Sequence, residues 1–113
     1  MHEYSIASSL LQTVEEQVRK HGASRVVRLE LRVGEHSGVE IPLLEKAWTL
    51  VRERTPCEGV DLSVRPVAAA WCCRDCGSGI ARGAVLTCPE CGGAARMVSG
   101  DELILDRIEM EVA

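Results

Sequence analysis

Phenylalanine is absent from this 113-residue chain, and Trp48, Trp71 and Tyr4 are its only aromatic residues. A core must therefore be assembled from valine, leucine, isoleucine and alanine. A basic surplus is lacking too: 13 Lys and Arg face 17 Asp and Glu, a formal net charge of −4 with histidine neutral. Nucleic-acid binders usually carry the opposite balance. No run approaches the roughly 20 apolar residues of a transmembrane helix, and Glu3, Glu15 and Glu16 interrupt any secretory signal near the start. The chain reads as soluble and cytoplasmic, with no membrane and no nucleic acid as partner. No phosphate loop of the GxxxxGK type occurs. With three histidines, no Ser-His-Asp or Cys-His arrangement stands out, so an enzyme is not expected. Internal repeats and low-complexity segments are also missing. Apolar residues make up 46% of the chain, which fits one compact domain, or a small domain with a satellite lobe.

What is present is a succession of clear patterns. Residues 4–21 predict a helix, because Ile6, Ala7, Leu10, Leu11, Val14 and Val18 recur at spacings of three and four. His21-Gly22 supplies its stop signal. In residues 25–33, Val27, Leu29, Leu31 and Val33 alternate with Arg28, Glu30 and Arg32, which predicts a half-buried strand. Pro42 opens a second helix running to about Arg54, with Leu43, Leu44, Ala47, Trp48, Leu50 and Val51 as its apolar face. Val60, Leu62 and Val64 predict a second strand, which Pro66 either ends or confines to an edge. "ELILDRIEMEV" is a third strand whose apolar parity changes partway. Either both faces are covered at its start, or a β-bulge lies near Asp106-Arg107. The simplest packing is an α+β fold: two helices on one face of a small three-stranded sheet. Residues 1–69 and 102–113 are expected to form it, with residues 70–101 inserted as a lobe of their own.

That insert holds five of the six cysteines. Cys73-Arg74-Asp75-Cys76 and Cys88-Pro89-Glu90-Cys91 are two CxxC pairs, each followed directly by a glycine, Gly77 and Gly92. Such pairs form knuckles in which two thiolates reach one cation, and the glycine supplies the positive φ that a tight knuckle needs. In a reducing compartment metal binding outranks disulfides. Four thiolates make a closed tetrahedral Zn(II) site, structural because no position stays open. It supplies folding energy that so small a lobe cannot gain by burial. Iron is the rival metal. Cys72 adjoins Cys73 as a competing ligand, though the two-residue gap to Cys76 favours Cys73. Cys57 reads as a plain free cysteine in a loop.

His2 follows Met1 directly. The free amine, the backbone nitrogen of residue 2 and the imidazole of His2 can chelate one metal through adjacent rings. The Glu3 backbone nitrogen or its carboxylate offers a further donor. Nitrogen-rich sets of this kind suit Ni(II) or Cu(II). A helix beginning near Glu3 places its positive end there and favours the carboxylate as an anion.

"MHEYSIA" at the start, "GASRVVRLELRVGEHSGVE" at 22–40, the double CxxC with "CPECGG" at 88–93, and "GDELILDRIEMEV" at 100–112 together resemble the HypA/HybF family of hydrogenase nickel-incorporation proteins. The resemblance spans essentially the whole chain, in order. It implies a nickel metallochaperone, not a catalyst, that serves maturation of nickel–iron hydrogenase and in some organisms urease. Met1, His2 and Glu3 match the family's nickel-binding N-terminus, with Ni(II) as cargo. Cys73, Cys76, Cys88 and Cys91 match its structural Zn(II) site. The implied partners are the nickel-associated GTPase HypB and the hydrogenase large-subunit precursor, and monomers and homodimers both fit the family. Cys57 and Cys72 depart from the pattern, as does His36, which stands where an apolar residue is expected and makes the surface there prone to bind metal.

Two other readings compete. A zinc-ribbon module for nucleic acid or protein interaction calls for basic and aromatic residues on the ribbon. Arg74, Arg82 and Arg96 are offset there by Asp75, Glu90 and Asp101, with Trp71 the one aromatic residue. A rubredoxin-like redox protein would hold iron in the same four thiolates.

Overall fold

A computed structural model describes residues 2–81 and 86–112 of the chain. The elements follow in the order α1 (His2–His21), β1 (Ala23–Gly34), α2 (Ile41–Val51), β2 (Leu62–Val67), β3 (Ala70–Cys73), β4 (Gly79–Ile80), β5 (Ala95–Ser99) and β6 (Leu103–Val112). They build two three-stranded sheets, one ordered β2-β1-β6 and the other β4-β3-β5. The Cα radius of gyration is 18.1 Å and the extents are 57 × 28 × 16 Å. A single compact body of this length would have a radius near 13 Å, so the two sheets lie end to end.

In the larger sheet β1 is central, parallel to β2 and antiparallel to β6. The parallel pairing requires a crossover, and α2 provides it. Both helices pack on this sheet. Ala7, Val14 and Val18 of α1 meet Leu44, Ala47 and Trp48 of α2 over Val26, Leu29, Leu31 and Leu62. Trp48 is fully enclosed, and its indole N–H donates to the Val60 carbonyl at 2.7 Å, so its one polar atom is satisfied. The apolar face of α2 is narrower than its sequence suggests, with Leu43 and Leu50 exposed. Its helical run ends at Val51, three residues before the expected Arg54. Pro66 sits inside β2, which is an edge strand and can spare the missing N–H.

The β1–β6 ladder corrects one expectation and resolves another. Val26 pairs with Met110 and Arg28 with Glu109, leaving Val27 as the extra residue of a bulge. Strand parity therefore reverses there. Val26 is buried and Val27 is exposed, against the simple alternation. On β6, Glu30 pairs with Arg107 and Leu31 with Leu105, so Asp106 is skipped. This bulge lets Leu105, Ile108 and Met110 share one face and pack on the core despite the change of parity in sequence. Both Asp106 carboxylate oxygens accept from Arg32 Nε, at 3.0 and 2.8 Å.

The turn after β1 grips both connections to the second sheet. Gly34 N–H donates to the Glu102 carbonyl, Glu35 N–H to Val67 and His36 N–H to Gly100. The Glu35 carboxylate accepts from Ala69 N–H at 2.8 Å. A Cβ on Gly34 would lie 2.2 Å from the Gly100 carbonyl, so only glycine permits this approach. His36 meets Trp71 edge-on, with ring centroids 5.6 Å apart.

Candidate metal centres

The second sheet was not visible in the sequence pattern, and it exists to present cysteines. β3 delivers Cys73 at its end. The chain then turns, so that Cys73 N–H donates to Ser78 O and Gly77 N–H returns to Cys73 O. The second knuckle repeats this, with Cys88 N–H donating to Gly93 O and Gly92 N–H to Cys88 O. Gly77 and Gly92 adopt φ of 77° and 76°, the left-handed geometry expected of the residue after each CxxC pair.

Cys73, Cys76, Cys88 and Cys91 converge so that their sulfurs all lie within 4.8 Å of one another. Cys73 and Cys91 Sγ are 3.4 Å apart, and Cys76 and Cys88 Sγ 3.7 Å. Four sulfurs tetrahedrally placed at about 2.3 Å from a zinc ion would be spaced about 3.8 Å, so the donor set fits. Backbone N–H groups already point at these sulfurs: those of Asp75 and Cys76 toward Cys73, and that of Glu90 toward Cys88, at 3.3–3.4 Å. The protein alone thus supplies part of the stabilisation that thiolates need. The Ser78 hydroxyl and N–H, together with the Cys88 thiol, hold Cys76 down to about 6. The Cys76 and Asp75 N–H groups lower Cys73 despite its burial. Cys91, though the Gly93 N–H favours its thiolate, is pushed up to about 12 by the sulfurs of Cys73 and Cys76 beside it. Four thiols in this space cannot all ionise unless a cation compensates them.

Cys72 does not join them. Its neighbour is Arg96, whose Nη2 lies 3.3 Å from Cys72 Sγ. Cys57 is fully buried in the main core. The role of Ser78 and the aimed N–H groups had no signature in the sequence, since backbone donors are common to every residue.

At the other end of the molecule α1 begins at His2, two residues earlier than its apolar stripe suggests. The His2 side chain is 59% exposed, and its Nε2 lies 3.7 Å from Glu3 Oε2. Glu3 is the one buried charged residue among those described, at 4% exposure. Its Oε2 accepts from Glu40 N–H at 3.2 Å. The charge of the amino terminus and this N–H hold the Glu3 carboxyl at about 2. Met1, the third expected nickel ligand, lies outside the described residues, as does Arg82. The pairing of Glu3 with Glu40 was not foreseen.

A closed four-cysteine knuckle pair on its own sheet, joined to a helix-covered α/β sheet with an exposed histidine at its N-terminus, defines a small metal-handling protein with a zinc-ribbon-like lobe. The family model described as "Hydrogenase/urease nickel incorporation, metallochaperone, hypA" matches residues 1–110. The chain belongs to this family, whose members are metallochaperones of hydrogenase maturation and not enzymes. It is 39% identical to the hydrogenase maturation factor HypA of Nitrosospira multiformis, over 97% of both chains. It is 34% identical to that of Aquifex aeolicus, over 99% of each. Among solved structures it resembles a HypA protein in solution, with a TM-score of 0.80 and 28% identity, covering 100% of this chain and 98% of that one. It also resembles the nickel metallochaperone HypA from Helicobacter pylori, with a TM-score of 0.73 and 28% identity over the whole of both. Among the described residues, no helix is long and apolar enough to cross a membrane.

Proposed function

We propose that this chain carries Ni(II) on its N-terminus, through the Met1 amine, the backbone nitrogen and imidazole of His2, and Glu3, and that Cys73, Cys76, Cys88 and Cys91 hold a structural Zn(II). The observation that carries this is the contrast between the two ends. His2 is exposed at a helix start, where ligands can be exchanged stepwise with an acceptor. The cysteines are closed on one another, with N–H groups aimed at their sulfurs, and offer no open position. Carrier and staple are therefore separate, and we assign the carrier to residues 1–69 with 102–113 and the staple to residues 70–101.

A carrier must hold its cargo and then release it. His2 supplies an imidazole nitrogen donor at the start of α1. Nickel is outranked by copper in raw affinity, so selectivity falls to donor geometry and to the partner. With no phosphate loop of its own, the chain depends on a nucleotide-hydrolysing partner for directed transfer. The nickel-associated GTPase HypB fills that role, and the hydrogenase large-subunit precursor receives the metal in the cytoplasm. Urease maturation is a second destination for the same cargo.

Metal analysis of the untagged chain with and without His2→Ala tests this. About one zinc per chain is expected in both proteins, with nickel binding by the wild type and its loss from the variant. Equal nickel binding by the two would overturn the N-terminal site. Iron in the purified protein, with a thiolate-to-iron colour, would overturn the zinc assignment.

A further inference from the structure

β6 is an outer strand of the main sheet, and among the described residues nothing pairs with its free edge. An open edge invites another strand, and proteins blunt it with charge, proline or a bulge. β2, the opposite edge, carries Pro66. β6 carries the bulge at Asp106. Toward the helix layer this edge is apolar: Leu105, Ile108 and Met110 are half-buried, and Leu103 is 41% exposed. Two clefts, of about 380 and 410 Å³, lie between the edge and α1. Leu103 and Leu105 line the first, and Ile108 and Met110 the second. The ridge of α1 along both clefts is Ser5, Ser9, Thr13, Gln17 and His21, with no carboxylate, lysine or arginine. α1 thus roofs space that a further strand would fill.

We propose that this edge pairs with the same edge of a second copy of the chain, antiparallel about a two-fold axis at Arg107, to give one six-stranded sheet. The bulge selects that occupant. A regular strand is one residue short opposite Asp106 and loses a ladder position there. A strand with the same extra residue at the same place keeps step on both sides of it. With Arg107 on the axis, Leu105 lies opposite Ile108 of the second copy, and Leu103 opposite its Met110. Each apolar residue meets an apolar one on the helix-facing side, and each pair occurs twice, as a two-fold requires. On the open face the two Arg107 side chains meet, each with Asp106 of the other copy beside it, so opposite charges alternate at the axis. Arg107 is 62% exposed and its present partner is Glu109 of its own strand, at 3.3 Å. The uncharged ridges of α1 approach one another without like-charge repulsion. The two starts of α1 fall at opposite ends of the sheet, so the contact does not depend on nickel.

Sedimentation equilibrium of the untagged, zinc-loaded chain tests this. It should give twice the 12.3 kDa of one chain, dissociating on dilution. Arg107→Asp gathers only carboxylates at the axis, and Leu103→Glu places charge in the clefts. Each should weaken association by about a hundredfold and keep the wild-type circular dichroism and zinc content, because both side chains are exposed. Cysteine cross-linking reads the register. In a Cys72→Ser background, Arg107→Cys should cross-link to itself in oxidised glutathione, since directly opposed strand residues stand about 5 Å apart. Glu109→Cys, opposite Ile104 of the second copy, should not. A single-chain mass at every concentration overturns the proposal, whether the edge stays unused or takes a strand of a different protein. So does a dimer that survives Arg107→Asp, or one that Glu109→Cys cross-links and Arg107→Cys does not, because another surface or another register then holds it.

Discussion

Cys72 and Cys73 are adjacent on β3, and the alternation of a strand sends their sulfurs to opposite faces. Cys73 enters the four-sulfur cluster and Cys72 meets Arg96. Cys72→Ser should therefore keep the full zinc content and Cys73→Ser should lose it, as metal analysis after dialysis will show. Cys57 is different again. Burial first, then the charge of Glu15, push its thiol from near 9 up to about 11, although the Thr55 hydroxyl opposes them. In zinc-loaded native protein at pH 8, a thiol reagent should label Cys72 and spare Cys57 until the chain unfolds. The sign of the linkage follows from the same shift. Between about pH 9 and 11 the unfolded chain releases the Cys57 proton and the native state keeps it. The contribution of this thiol to stability is thus complete below pH 9 and declines as pH rises through 11. Cys57→Ala should remove that part of the alkaline loss.

At the scale of the element, the bulge at Val27, one of three register shifts in the β1–β6 ladder, decides which valine matters. Val26→Ala removes buried methyl groups and should cost about 2–3 kcal/mol. Val27→Ala, on the exposed bulge, should stay within about 0.5 kcal/mol. Helical circular dichroism against denaturant measures both, because both helices rest on this sheet. Equal costs would mean that the register is wrong. The bulge near Asp106 could be read in advance, since "ELILDRIEMEV" shows its apolar residues changing parity. The bulge at Val27 could not, because "RVVRLELRV" alternates well enough without it, and the shift is set by pairing with β6 about 80 residues away. The helices were legible for the same reason: their stripes are local. The convergence of Cys73, Cys76, Cys88 and Cys91 was legible because CxxC spacing is local chemistry. The link from Glu3 to Glu40 joins two helix starts brought together only by packing. The sheet β4-β3-β5 left no pattern, since its strands are short.

At the scale of the whole molecule, the metal-binding lobe sits inside the chain that closes the main sheet. β2 ends at Val67 and β6 begins at Leu103, so the third strand of that sheet is reached only through the lobe. When the lobe is folded, Ala70 pairs with Ser99, and the two connections leave side by side into the turn formed by Gly34, Glu35 and His36. The loop that β6 must close is then a few residues long on either side. The lobe's own buried core is small: Cys73, Ile80 and Cys88, with Trp71 and Ala95 against it. That is too little to order it without a metal. Removing zinc with a chelator should therefore melt β3, β4 and β5 and leave about 35 free residues between β2 and β6, at an added closure cost of about 1–2 kcal/mol. Amide signals of residues 70–81 should collapse to random-coil positions. The helices should persist in circular dichroism, with a denaturation midpoint lowered by that amount. Restoring zinc should return both. If the midpoint is unchanged while the lobe melts, the turn at Gly34 holds the connections together by itself. If the helices are lost with the zinc, the two sheets fold as one unit and the lobe is more than a staple.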